Sequence, residues 1–424
     1  MKKISIYALL ISSLFGSYSV QASAYGYPIT DSYAATIIGT PAKYRAQLPG
    51  KIPLKVYTLP PIKGRKIPEV FWYQQGMKYS LAYQDHAAPL IFSIAGTGAG
   101  YHSGKMQIIN KAFYQAGFHV VSLSSPTHTN FEVNASTSGI PGHLPEDSAD
   151  LYQVMQRVSA RISEKVEVTD YHLIGYSLGG AQAAFVAKLD EQKKVFNFKK
   201  VLMINPPLNL YHSVTILDDM LENNIPGGLD NFNTYYQAVM DRFSQEYQKV
   251  DEIKFNNEFL YRIYKEDTPG RKQLAPLIGL SFRISSTNMI FTADVMNDLG
   301  YVVPKGSQLT TTESLTDYGK VTTRLGFSKY FDEIFYPHFK KQDPSLTREK
   351  LIFAESLKSI EGYLKASAKI GMIHNADDLI MKPGEVDYLQ QLLGDRAKVY
   401  PYGGHCGNMD YKDNVQYMVR FFTE

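Results

Sequence analysis

Three side chains in this 424-residue chain have the type, order and local setting for nucleophilic catalysis. The first is Ser177, inside Gly175-Tyr176-Ser177-Leu178-Gly179. A serine hydroxyl attacks a carbonyl only if something takes its proton and something else receives the charge that develops. Gly-x-Ser-x-Gly by itself is a weak signal, since a chain of this length meets it by chance about once in seven cases. Its setting strengthens it. Asp170 to Ile174 reads as a strand and Ala181 to Leu189 as an apolar-faced helix. A sharp turn between them would lift the hydroxyl clear of a sheet edge. Backbones crowd at such a turn, and Gly175, Gly179 and Gly180 leave room for them. The turn would also aim the first unpaired helix amides at the reaction centre.

An imidazole near its neutral pKa suits the task of taking the serine proton. Of the ten histidines, His405 has the local setting for it, in Gly403-Gly404-His405-Cys406-Gly407-Asn408, after an expected strand at 397–401 and before the last helix. The histidine in turn needs an acid to fix its tautomer and stabilise the imidazolium. The expected strand 369–374 runs into Asn375-Ala376-Asp377-Asp378-Leu379-Ile380. Asp377 is the expected acid, because apolar Leu379 and Ile380 at +2 and +3 could tuck down while its carboxylate faces the loop; Asp378 is the alternative. Oxyanion donors are expected from the amide of Leu178 and from the loop Ala95-Gly96-Thr97-Gly98-Ala99-Gly100, with Thr97 first and Gly98 next. That loop lacks the Gly-Lys-Ser/Thr of a phosphate loop and the Gly-x-Gly-x-x-Gly spacing of a dinucleotide site.

The elements that must hold these residues follow a strand–helix rhythm. Residues 54–59, 69–73 and 77–83 read as early antiparallel strands, and 25–50 as irregular. Short apolar runs at 89–95, 118–124, 170–175 and 199–205 suit strands buried on both faces of a parallel sheet. Helices are expected over 103–116, 146–163 and 178–190. The rhythm stops over 208–365, where helical patches dominate, and resumes at 369–374 with a helix at 385–393, a strand at 397–401 and an amphipathic C-terminal helix.

These motifs resemble the α/β-hydrolase superfamily over roughly residues 85–207 and 366–424. The resemblance rests on the elbow at Ser177, the Ala-Asp-Asp-Leu-Ile acid loop, Gly-Gly-His-Cys-Gly and the glycine-rich oxyanion loop, although the usual His-Gly pair of that loop reads Ala95-Gly96 here. It implies a mostly parallel α/β sheet with helices on both faces, a core of 25–207 and 366–424, and a mainly helical cap at 208–365. It also implies a Ser…Asp…His triad acting through an acyl-enzyme, with no cofactor.

The remaining features bound the function. Lys2 and Lys3, the apolar stretch Ile4 to Val20 and Ala22-Ser23-Ala24 read as a signal peptide over 1–24, hence an exported, periplasmic or secreted protein with no integral membrane segment after cleavage. The single cysteine, Cys406, rules out an internal disulfide, and the net charge of +3 gives no reason to expect nucleic acid as a partner. No His-Glu-x-x-His is present, and no metal is expected. The 31 tyrosines and 22 phenylalanines suit a small-molecule or lipid-like ester substrate. A serine peptidase is the alternative, with Asp218, Asp219 and Glu222 as candidates to hold a substrate amine; an acyltransferase or a non-catalytic binding module would use the same fold.

Overall fold

The computed structural model describes residues 25–247 and 271–424. The expected signal peptide at 1–24, and part of the expected cap, lie outside the described residues.

Eight strands form one sheet in the order β1-β2-β4-β3-β5-β6-β7-β8. They are β1 (Lys55–Leu59), β2 (Met77–Ala82), β3 (Ala88–Ile94), β4 (His119–Leu123), β5 (Val168–Tyr176), β6 (Val201–Ile204), β7 (Ile370–Asn375) and β8 (Ala397–Tyr400). β2 pairs antiparallel with β1 and β4, and every other pairing is parallel. Parallel neighbours need a crossover, which puts helices over both faces and explains why β3 and β6 are apolar at nearly every position. Alternation along β3 divides them: Leu90, Phe92 and Ile94 point into one core layer, and Ile91 into the other.

The helices that matter to the site are α1 (Ser32–Ile38), α2 (Gly104–Gln115), α3 (Thr129–Asn134), α4 (Leu144–Ile162), α5 (Leu178–Lys193), α6 (Leu210–Glu222), α7 (Phe232–Tyr247), α8 (Arg271–Asn297), α9 (Glu385–Leu393) and α10 (Lys412–Thr423). The first layer packs α4, α5 and α9 on the sheet through residues such as Leu151, Met155, Val186 and Leu389. The second packs α2 and α10 through Ile109, Phe113, Met418 and Phe422. α5 is apolar nearly all round, with Leu178 to Ala187 buried throughout, as a helix enclosed by sheet and neighbours must be.

Two local expectations are corrected. Residues 69–74 are a short 3-10 segment, not a strand. The segment follows Pro68 and buries the consecutive pair Val70 and Phe71, while Trp72 and Tyr73 face solvent; that is one turn's pattern, not the period of two. Residues 32–38, expected to be irregular, form α1: Asp31 accepts a hydrogen bond from the amide of Ala34, at 2.8 Å, and caps it.

The described residues between β6 and β7 are mainly helical, running through α6, α7 and α8, a set of short helices, and a π-helical turn at Phe331–Phe335, with a non-helical stretch at 298–315. Arg283 of α8 is buried and pairs with Asp218 (3.3 Å) and Glu222 (2.7 Å) of α6. Asp218 also accepts from the amides of Phe327 and Ser328. One buried charge cluster thus ties three pieces of this region together. Among the described residues no helix is long and apolar enough to cross a membrane.

Candidate active site

β5 delivers Ser177 at its C-terminal end, and α5 begins at the next residue. The serine backbone has φ 55° and ψ −129°, a conformation rarely adopted by a residue with a side chain. Its amide donates to the carbonyl of Ile204 at 2.8 Å, which pins the turn to β6. The flanking glycines are sterically required. A Cβ on Gly175 would lie 2.0 Å from the carbonyl oxygen of Gly179, and one on Gly179 would lie 2.4 Å from that of Ile94. The turn therefore folds only with glycine at both places, and it presents the hydroxyl at the sheet edge.

His405 comes from the loop after β8. Its Nε2 lies 2.8 Å from Oγ of Ser177. Its Nδ1 lies 3.0 Å and 3.1 Å from the two carboxylate oxygens of Asp378. With a carboxylate at Nδ1, the ring carries its proton there and leaves Nε2 free to accept from the serine. Ser177, His405 and Asp378 are all buried. Burial pulls the His405 pKa down, but the Asp378 carboxylate outweighs it and holds the imidazole well above its ordinary 6.5. Burial likewise pushes Asp378 up, and His405 beside it brings the carboxyl below its usual range.

The expected acid, Asp377, is corrected by this geometry: Asp378 is the carboxylate that meets the histidine. Asp377 turns the other way, and its Oδ1 accepts from the amide of Gly404 at 2.9 Å, bracing the loop that carries His405. The physical reason is visible two residues on. Ile380 and Met381 are the buried apolar pair, and they stand at +2 and +3 from Asp378, whereas Leu379 is only half-buried.

The histidine loop is clamped by the N-terminal segment, which the sequence reading passed over. Thr36 of α1 accepts the backbone N–H of His405 at 2.9 Å through its Oγ1. The Tyr27 hydroxyl donates to the carbonyl of Gly407 at 3.1 Å. Gly404 is at φ 57°, and a Cβ there would meet the carbonyl oxygen of Ser32 at 2.2 Å, so α1 lies directly on the loop. Tyr25 stacks on Tyr400, with ring centroids 4.6 Å apart. Its hydroxyl accepts from Asn408, whose amide also donates to Asn375 at the end of β7. Residues 25–50, which read as irregular, carry no sequence signal of this role, since the contact is with a partner hundreds of residues away.

Thr97 and Leu178 border the same recess beside the serine. Among the described residues neither backbone N–H donates to another group, which leaves both free to hold an oxyanion. Gly98 is different, because its amide donates to Oγ1 of Thr127 at 2.8 Å. The recess, about 490 Å³ including its mouth, runs from Thr97 and Leu178 to Leu210, Met289, Phe331 and Phe335. Helix α8 roofs it: Ser285 meets the loop at Gly98, and the Phe282 ring lies 6.5 Å from that of His405. Glu355 forms part of the wall, fully engaged by His143 Nδ1 (2.5 Å) and the amide of Leu144 (2.6 Å). Asp218 and Glu222, expected as possible amine-holding acids, are taken up by Arg283, and Asp219 is exposed.

No family model and no curated protein matches this chain. Among solved structures it is similar to a putative hydrolase from Legionella pneumophila, at 12% identity and TM-score 0.44 over 93% of this chain and 96% of that one. A carboxyl esterase from Bacillus coagulans gives 13% identity and TM-score 0.41 over 88% and 98%. An esterase from Pyrococcus furiosus gives 9% and 0.39 over 89% and 97%. The fold stands on the chain's own features: a mostly parallel sheet covered on both faces, a strained serine between β5 and α5, and serine, acid and histidine in that chain order. By those features the chain has the α/β-hydrolase fold.

Proposed function

We propose that the chain is an exported serine esterase that cleaves carboxylic esters with an apolar acyl group. The observation that carries this is the continuous hydrogen-bonded line from Ser177 Oγ through His405 to Asp378, closed beside an apolar recess. Export rests on the N-terminal sequence pattern alone.

In this reading the ester carbonyl lies against the amides of Thr97 and Leu178, and the acyl group enters the recess. Ser177 Oγ attacks the carbonyl carbon while its proton passes to Nε2 of His405. Asp378 stabilises the resulting imidazolium, and the two amides hold the oxyanion. Collapse breaks the ester C–O bond, and His405 returns the proton to the departing alkoxide. A water molecule then repeats the sequence on the acyl-enzyme and releases the acid. The peptidase reading loses its support, since the acids named for an amine are tied up by Arg283 or turned to solvent.

The test combines p-nitrophenyl esters of graded acyl length with a fluorophosphonate probe. The protein is expected to turn over at least one ester and to be labelled at Ser177. Ser177→Ala is expected to lose labelling and to lose activity by on the order of 10³-fold or more. Activity that survives Ser177→Ala would remove the proposal.

A further inference from the structure

Asn205 follows β6 and is buried, with φ 45°. Its amide donates to Ile373 at 2.8 Å, so the residue is pinned between β6 and β7 at the sheet edge. Asparagine tolerates this left-handed conformation better than other side-chain-bearing residues. From there its Nδ2 donates to Oδ2 of Asp378 at 2.8 Å. Its own Oδ1 is buried and has no partner among the described residues. One end of the amide is thus left unsatisfied while the other end is spent on the acid.

We infer that Asn205 is a positioning residue for the acid of the proposed triad, holding the Asp378 carboxylate so that both of its oxygens face Nδ1 of His405. The inference rests on the serine-esterase reading above. The carboxylate has few other restraints. The amide of Ile380 reaches Oδ1 at 3.2 Å, and Nδ1 of His374 stands 3.8 Å from Oδ2. His374 is itself directed to the carbonyls of Asn375 and Pro206. Without the Asn205 donor, Oδ2 would keep only the imidazole as a close partner, and the carboxylate could rotate about its last bond. The negative charge now shared with the amide would fall more fully on His405. The other polar groups near the pair are Asp377, turned to Gly404, and Cys406, whose Sγ is 3.9 Å from Nε2. From the roof, the ring of Phe282 faces His405. None of them donates to Oδ2.

Two variants separate the side chain from the backbone. Asn205→Gly keeps the positive φ and removes the amide; Asn205→Ala removes the amide and keeps a Cβ at the position. Both are expected to lower kcat about 10- to 100-fold on the best p-nitrophenyl ester, the range for one hydrogen bond to a charged group, with KM little changed. Both are expected to move the acid limb of the pH–rate profile to higher pH, because the imidazolium gains a less shared negative charge. In a Ser177→Ala background, the low-field proton resonance of His405 Nδ1 is expected to shift when Asn205 is changed. Activity within twofold of the parent, or a fall in kcat with limb and resonance both unmoved, would overturn the inference, the second because it marks a merely structural loss. The resonance needs no turnover. A parent protein without Ser177 labelling or ester turnover would therefore strike the esterase reading, whereas an unmoved resonance would strike the role of Asn205.

Discussion

At the scale of single residues, the division of work between two adjacent aspartates is the sharpest feature. Asp378 faces the imidazole, and Asp377 braces the backbone of the loop that presents it. The two should therefore respond differently to loss of charge. Asp378→Asn is expected to cost on the order of 10⁴ in kcat, as when a triad loses its acid and the histidine its tautomer. The pH dependence has a definite sign. In the proposed mechanism the base works only when neutral, so activity is expected to rise with pH through the histidine pKa. In the parent that pKa is held above 6.5 by Asp378. In Asp378→Asn the largest raising charge is gone while burial still pulls the imidazole down, with Cys406 left as the lesser raising neighbour, so the acid limb of the residual activity is expected to move to lower pH. Asp377→Asn keeps an oxygen for the Gly404 amide, and its limb is expected to stay with the parent's. A pH–rate series on the three proteins checks this.

At the scale of elements, a buried ion cluster ties the roof over the site to its neighbours. Arg283 on α8 has its charge answered by Asp218 and Glu222 on α6, and Asp218 also holds the start of the helix at Phe327–Tyr330. Removing one partner of a buried pair leaves an uncompensated charge, at a cost of about 3–5 kcal/mol. Glu222 keeps part of its contact, so Asp218→Ala is expected near the lower end, about 3 kcal/mol, measured by denaturant unfolding. α8 also carries Phe282, Ser285 and Met289 over the recess. The same variant is therefore expected to raise KM for esters more than it lowers the rate of fluorophosphonate labelling of Ser177.

At the scale of the whole molecule, every group of the site stands at the C-terminal edge of the parallel strands: the Thr97 loop after β3, Ser177 after β5, Asn205 after β6, Asp378 after β7 and His405 after β8. Burying so many polar groups around one edge has a consequence for stability against pH. Glu132 on α3 is wholly buried, neither carboxyl oxygen has a hydrogen-bond partner among the described residues, and burial followed by the nearby Asp147 pushes its pKa well above 4.5. A carboxyl with a raised folded-state pKa contributes stability below its unfolded value and loses it as pH climbs through the folded one. Glu132→Gln cannot ionise. Its melting temperature relative to the parent is therefore expected to rise between pH 5 and pH 9, as measured by scanning calorimetry, and a flat difference would show that Glu132 does not carry this dependence.

The sequence by itself determined the order of the sheet strands from residue 88 on and of the longer helices that cover them, though not the short α3 at Thr129–Asn134, together with the elbow at Ser177 and the histidine loop, because each is written in local terms: apolar runs, helical spacing and glycines where backbones collide. It also marked out the stretch between β6 and β7 as something other than the sheet. It misread residues 69–74 because β-rich composition does not distinguish one tight turn from a strand when Pro68 sets the entry. It missed α1 because seven residues give too little periodicity to see. Only the tertiary structure chose Asp378 over Asp377, since the choice depends on which carboxylate the fold brings to His405, and adjacent identical residues differ locally only in phase. Only the tertiary structure brought Asn205, Thr36 and the recess to the site, because each lies on a separate segment and is placed by the pairing of β6 with β7 and by the packing of α1 and α8.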